Sequence, residues 1–237
     1  MLDLILACLF WKPIDFPKEN KPAPIIRETY TEEDDLWAKL SQEYFEAAKY
    51  QSKNKNLEAA LETAKLGLKY APRNKRAYSN ALSNVGVHHF RIAKLYKRLK
   101  SIATEIPKDS QEIGKDQAEK LYGEQLTLSE LYTFHITKAR EMYIKAIEIN
   151  DKSPVFHSNL GNLFLQDEKI KEGVELLKSA MELSPESVKY VFEYGKACLV
   201  AKKYEEAKMY LNKSKTLFPA LENRVKRLLE TVPTSKK

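Results

Sequence analysis

Residues 154–187 read PVFHSNLGNLFLQDEKIKEGVELLKSAMELSPES, and residues 188–221 follow at once with VKYVFEYGKACLVAKKYEEAKMYLNKSKTLFPAL. One pattern is written twice. Gly161 and Gly195 lie 34 residues apart, as do Gly173 and Ala207, Ala180 and Ser214, and Pro185 and Pro219. Leu160 aligns with Tyr194, and Leu177 with Leu211. A fixed period of this length marks stacked units, each too small to bury its apolar face alone. The first copy reads as two antiparallel helices, over about residues 155–166 and 170–183. Gly161 sits mid-helix, where it costs about 1 kcal/mol relative to Ala. That cost makes sense if another helix approaches closely there. Gly173 and Ala180 are small where the second helix crosses the first, and Leu160, Leu163, Phe164, Leu176, Leu177 and Met181 fill the interface. Pro185 cannot continue the second helix, because it lacks an N–H and clashes with the preceding turn. The second copy repeats this with Tyr194, Gly195, Cys198, Ala207, Leu211 and Pro219.

The order of residues resembles the tetratricopeptide repeat, whose pattern runs Trp, Leu-Gly, aromatic, Ala, aromatic, Ala, Pro at set offsets. The first copy has His157, Leu160, Gly161, Phe164, Gly173, Leu177, Ala180 and Pro185 there; His157 for Trp and Gly173 for Ala are departures. The second has Val191, Tyr194, Gly195, Cys198, Ala207, Leu211, Ser214 and Pro219. The resemblance implies an all-α, right-handed solenoid of helical hairpins that binds other proteins along a concave groove lined by the first helix of each unit. It places Ser158, Asn159, Asn162 and Gln166 in that groove from one copy, and Lys189, Phe192, Glu193 and Lys196 from the next. Chaperone-binding members grip a C-terminal carboxylate with Lys, Asn and Arg. Here Glu193 and Ser158 stand in slots that need Asn or Arg and Lys, and Phe45 replaces that Lys in an earlier copy. Chaperone tails are therefore disfavoured as partners.

Two more units precede these copies. Residues 41–74 form a weaker repeat, with Tyr44, Ala47, Ala48, Ala60, Ala64, Gly67 and Pro72 on the pattern and the turn at Lys53-Asn54-Lys55-Asn56. Residues 75–153 are too long for one ordinary repeat. Tyr78, Ala81, Val85, His89, Ile92, Leu95, Leu99, Ile102 and Ile106 recur at helical spacing, and so do Ala118, Leu121, Leu128, Leu131, His135, Ala139, Met142 and Ala146. Pro107 ends the first stripe. The expectation is a repeat with both helices lengthened into a projecting hairpin, or else an ordinary repeat with an added helix pair. Asn80 and Asn84 are its groove residues by the same resemblance. The solenoid then covers residues 31–221, opened by Thr31 as a helix cap ahead of an acidic run. Residues 222–237 hold a capping helix with Val225, Leu228 and Leu229 on one side, followed by a tail.

The N-terminal residues 1–11 are apolar. Leu4-Ile5-Leu6-Ala7-Cys8 is similar to a bacterial lipobox, in which the Cys becomes lipidated, although Asp3 interrupts it and no basic residue precedes it. An upstream start codon would repair the match and place the chain on the cell envelope, assisting assembly of envelope or pilus machinery. Otherwise the segment packs on the solenoid of a cytoplasmic protein. Residues 12–30 carry Pro13, Pro17, Pro22 and Pro24 and read as an extended tether or arm.

Nothing in the sequence supports catalysis or a cofactor. There is no zinc spacing, no phosphate loop and no nucleophile elbow. His88 and His89 are neighbours on a helix and point about 100° apart. His89 and His135 both fall on apolar stripes and are expected to face each other across the hairpin, as a core or partly wet pair or, in the sharper reading, as a pH-sensitive contact. The net charge is +7. Arg91, Lys94, Lys97, Arg98 and Lys100 form the densest basic cluster, a candidate contact for a polyanion such as nucleic acid, lipid headgroups or an acidic partner. The leading expectation is a non-enzymatic scaffold that binds a partner peptide or helix, with nucleic acid the lesser alternative.

Overall fold

The computed structural model describes residues 32–105 and 127–233. The described residues are helical and contain no strand. In chain order the helices are α1 (Glu32–Lys53), α2 (Leu57–Tyr70), α3 (Lys75–Glu105), α4 (Leu128–Ile149), α5 (Pro154–Gln166), α6 (Ile170–Leu183), α7 (Val188–Val200), α8 (Tyr204–Leu217), a 3-10 turn (Pro219–Leu221) and α9 (Glu222–Leu229). Contacts divide the chain into two units, residues 1–142 and 143–237, each with its own core. No described helix is long and apolar enough to cross a membrane.

In the second unit the paired copies become paired hairpins, α5–α6 and α7–α8. The two glycines of the first copy let the backbones meet. A Cβ built on Gly161 would lie 2.8 Å from Leu177 Cγ and 3.0 Å from the carbonyl oxygen of Gly173. One built on Gly173 would lie 2.8 Å from Leu165 Cδ2 and 3.0 Å from the carbonyl oxygen of Gly161. Leu177 is fully buried against this crossing, together with Val174, Ala180 and Met181. Burial of one such leucine stabilises the fold by about 2–3 kcal/mol. Tyr190, Val191, Tyr194, Ala197 and Cys198 of α7 continue the same core. Phe192 and Leu211 close it against Val225 of α9.

In the first unit α1 and α2 form a hairpin of the same kind. Gly67 takes the ring of Phe45 rather than a backbone, with a built Cβ 2.9 Å from Phe45 Cζ. The Ser41 hydroxyl donates to the Gly67 carbonyl oxygen at 2.7 Å. Ala48, Leu61, Ala64, Val85 and Ile92 form the core that joins this hairpin to α3. The α3 and α4 helices are long, 31 and 22 residues against 13 or 14 for α5 to α8. The outer parts of both expected stripes, including Pro107, Ala118 and Leu121, lie outside the described residues. What is described of the second stripe begins at Leu128, where Thr127 and Glu130 form a capping box: the Thr127 N–H donates to Glu130 Oε2 at 2.6 Å, and the Glu130 N–H donates to Thr127 Oγ1 at 3.3 Å.

Three tight turns among the described residues end their helices in the same way. Lys55, Glu168 and Lys202 adopt left-handed backbone, with φ of 64°, 62° and 59°. The N–H of the following residue bonds back to the carbonyl five residues earlier: Asn56 to Gln51 at 3.0 Å, Lys169 to Phe164 at 2.9 Å and Lys203 to Cys198 at 2.8 Å. These are Schellman ends, built here without the usual glycine.

Candidate functional site

In the second unit α5 and α7 run side by side, and their polar residues form one face. The Ser158 hydroxyl donates to Glu193 Oε2 at 2.5 Å and ties the two helices together. Asn162 Nδ2 donates to the Ser158 carbonyl oxygen at 2.9 Å, which fixes its amide along α5. Asn159 and Gln166 are half-buried on the same helix. Lys189 and Lys196 are exposed on α7, their ammonium groups 5.0 Å from the Tyr190 ring centre and 5.9 Å from that of Phe192. In the first unit Asn80 and Asn84 are both exposed on α3, one turn apart.

Two expected groove residues, Ser158 and Phe192, are buried. Ser158 is fully buried, and its hydroxyl is bonded to Glu193. Phe192 is only 6% exposed, because Leu211 and Val225 pack over it. The ring that was expected to offer apolar contact belongs to the core, and the surface above it is basic. The Arg224 guanidinium stands 4.5 Å from its centre, and Lys196 supplies a second cation at 5.9 Å. Arg224 lies outside the expected groove positions, yet the sequence carries a signal for its helix. Val225 lies 34 residues after Val191, and Leu228 lies 34 after Tyr194, so the period runs on into α9. That helix stands where the first helix of a further unit would.

The basic cluster does not converge on one surface. Arg91 Nη1 donates to Ser52 Oγ at 2.7 Å, toward α1. Lys97 lies over the Tyr132 ring at 5.9 Å, and Lys100 Nζ donates to Ser129 Oγ at 3.2 Å, both toward α4. Lys94 lies 4.9 Å from the Phe90 ring, and Arg98 is exposed. These cations are shared between two sides of α3.

The histidines do meet. His89 Nδ1 and His135 Nδ1 are 2.9 Å apart, so one ring carries the proton and the other presents its lone pair. Phe134 stands edge-on to both rings, and Tyr96 lies 5.8 Å from that of His135. Burial pushes His89 down to about 3, helped by His135, Lys65, Lys138 and His88. Burial and Lys65 push His135 down to about 4. His88 is pushed down to about 4 by burial and then Arg91, and its Nδ1 is buried without a hydrogen-bond partner. Burial also raises the Glu58 carboxyl, against the pull of its own backbone N–H and the Tyr96 hydroxyl.

Cys198 is buried and is pushed up to about 11 by burial, the state of an inert core thiol. Its sulfur and the Tyr194 hydroxyl both face Glu206 Oε2, at 3.6 and 3.1 Å. Cys8 lies outside the described residues. Among the described residues, no three His, Cys, Asp or Glu side chains gather as a metal-ligand group.

No protein-family model matches the chain, and no curated protein does. Among solved structures, MamA of AMB-1 aligns over 83% of this chain and 80% of its own, with 14% identity and a TM-score of 0.48. A thermophilic TPR protein of Thermus thermophilus aligns over 80% and 99%, with 16% identity and a TM-score of 0.42. The first TPR of Spaghetti (RPAP3), bound to an HSP90 peptide, aligns over 43% and 83%, with 19% identity and a TM-score of 0.39. The decisive observation is internal: α5–α6 and α7–α8 are equivalent hairpins 34 residues apart, with small residues at the crossings and proline after each second helix. The fold is that of the tetratricopeptide repeat. In tetratricopeptide terms the polar face of α5 and α7 belongs to the first helices of two successive repeats, the helices expected to line the groove.

Proposed function

We propose that this chain is a non-enzymatic scaffold whose tetratricopeptide hairpins hold an extended peptide or a helix of a partner protein. The observation that carries this reading is the face of α5 and α7. Two adjacent first helices are linked by a hydrogen bond, Ser158 to Glu193, and Asn159, Asn162 and Gln166 of α5 and Lys189 and Lys196 of α7 keep part of their surface exposed. Asn162 offers an amide that can both donate to and accept from a peptide backbone, and Lys189 and Lys196 offer exposed cations on α7. A free C-terminal carboxylate is a poor occupant here, since the Glu193 carboxylate stands in the middle of the face and would repel it.

The test is selection from a displayed random-peptide library on the immobilised full chain, followed by titration of the enriched peptides. Asn162→Ala with Lys196→Ala should weaken binding about tenfold or more, with thermal melting unchanged, since each lost polar contact is worth about 1 kcal/mol. A library that yields no binder, or binders indifferent to this pair of changes, sinks the reading.

A further inference from the structure

The α1–α2 hairpin of the first unit carries an aromatic ladder that the scaffold reading does not use. The Trp37 and Tyr70 ring centres are 5.9 Å apart with planes 2° from parallel. Tyr44 also stacks on Tyr70, at 5.5 Å and 11°. Tyr70 is the last residue of α2, and Trp37 lies in the second turn of α1, so the ladder stands at the end of the hairpin where the chain enters. It is not sealed. Trp37 is 37% exposed and its neighbour Leu36 is 67% exposed. Tyr44 and Tyr70 alone would clasp the hairpin. Trp37, seven residues before Tyr44 and so on the same side of α1, carries the stack outward onto the surface.

The chain entering at this end is rich in proline. Pro13, Pro17, Pro22 and Pro24 are interleaved with Ile14 and Phe16 and followed by Ile25 and Ile26. Aromatic-lined surfaces bind such segments because the polyproline conformation is preformed and loses little entropy on docking. Reach is sufficient. The eight residues from Pro24 to Glu32 span up to about 25 Å at ~3.1 Å each, while Trp37 lies only about 8 Å along α1 from Glu32. The ladder itself is roughly 11 Å long, matched by about four residues of polyproline helix. Covalent attachment through so short a connection supplies an effective concentration in the millimolar range, so even weak stacking suffices.

We propose that the proline-rich stretch at residues 13–24 docks in cis on the aromatic ladder of Trp37, Tyr70 and Tyr44. The docked arm covers Trp37 and Leu36.

The test uses the full chain. The sequence has two tryptophans, so Trp11→Phe leaves Trp37 as the sole emitter. Cys8→Ser with Asn20→Cys provides one reactive thiol among the prolines, since Cys198 is buried. A nitroxide attached at position 20 should quench Trp37 emission about threefold relative to the same label in diamagnetic form, at all protein concentrations, as stacking on the ladder requires. Changing Pro17, Pro22 and Pro24 together to Ser should abolish that difference. Equal emission with the two labels overturns the proposal. So does quenching that survives the three serines, because proline would not be what is recognised. Quenching that fades on dilution overturns docking in cis and assigns the ladder to a second copy of the chain.

Discussion

The α5–α6 hairpin and the α3–α4 pair solve the same problem by different means. In α5–α6 two helices meet through glycine, so that backbone touches backbone and Leu177 fills what remains. In α3–α4 the helices meet through His89 and His135, joined by one shared proton and walled by Phe134 and Tyr96. The first contact is steric and contains no titratable group. The second is polar, and its integrity depends on both rings remaining neutral. Repeat geometry therefore fixes how closely the hairpin helices approach, while an interface built on polar side chains adds sensitivity to acid.

The sharpest way to break the first contact is Gly161→Val. The branched side chain meets the Gly173 carbonyl oxygen, which cannot move without moving α6, so a loss of about 3 kcal/mol is expected in chemical denaturation. A loss below about 1 kcal/mol would mean that the crossing is looser than its distances, since the modest gain in helix propensity from Gly to Val offsets only a fraction of the steric cost.

The second contact should yield to acid, and the sign follows from the direction of the shifts. His89 and His135 are pushed below the ordinary 6.5, to about 3 and about 4, so the unfolded chain binds protons first as pH falls. Their contribution to stability is complete above about pH 6.5 and is lost as pH falls from there toward the folded values. Amide exchange should quicken in α3 and α4 between about pH 6.5 and 4, after correction for intrinsic rates, by more than in α5 and α6. Replacing both rings, His89→Phe with His135→Leu, should flatten that dependence to the share contributed by other shifted groups of the unit, His88 and Glu58. An unaltered profile in the double variant would remove the pair from the account of acid response.

The smallest expected effect separates glycine that meets backbone from glycine that meets a side chain. A Cβ at Gly67 meets only the Phe45 ring, which can tilt away. Gly67→Ala should shift stability by less than about 1 kcal/mol, as the helix-propensity gain of Ala offsets the displaced ring. A loss as large as that of Gly161→Val would place the two hairpins on an equal footing.

Much of this was legible from residue spacing. The pairs Gly161 and Gly195, and Pro185 and Pro219, were enough for the helices α5 to α8, because small residues and proline act locally and leave a mark in the sequence. His89 and His135 were legible because both fall on apolar stripes. The face of α5 and α7 was only partly so. Position on the repeat places Ser158 and Phe192 at the groove, but the Ser158 hydroxyl is taken up by the Glu193 carboxylate of the next helix, and Val225 of α9 packs on Phe192. Both are tertiary effects with no local signature. The spread of Arg91, Lys97 and Lys100 over two sides of α3 was equally hidden, since each cation is oriented by a partner far away in sequence: Ser52, Tyr132 and Ser129.

The turns at Lys55, Glu168 and Lys202 bear on how this chain could be adapted to heat. A side chain in left-handed backbone costs roughly 1 kcal/mol that glycine would not incur, partly returned through the greater freedom glycine gives the unfolded chain. All three residues sit at the same place in their hairpins, on turns remote from the packed crossings. Each is a separate increment of thermal tolerance that selection has left untaken. A lineage moving to warmer surroundings could collect them one at a time, altering neither a core contact nor the polar face of α5 and α7.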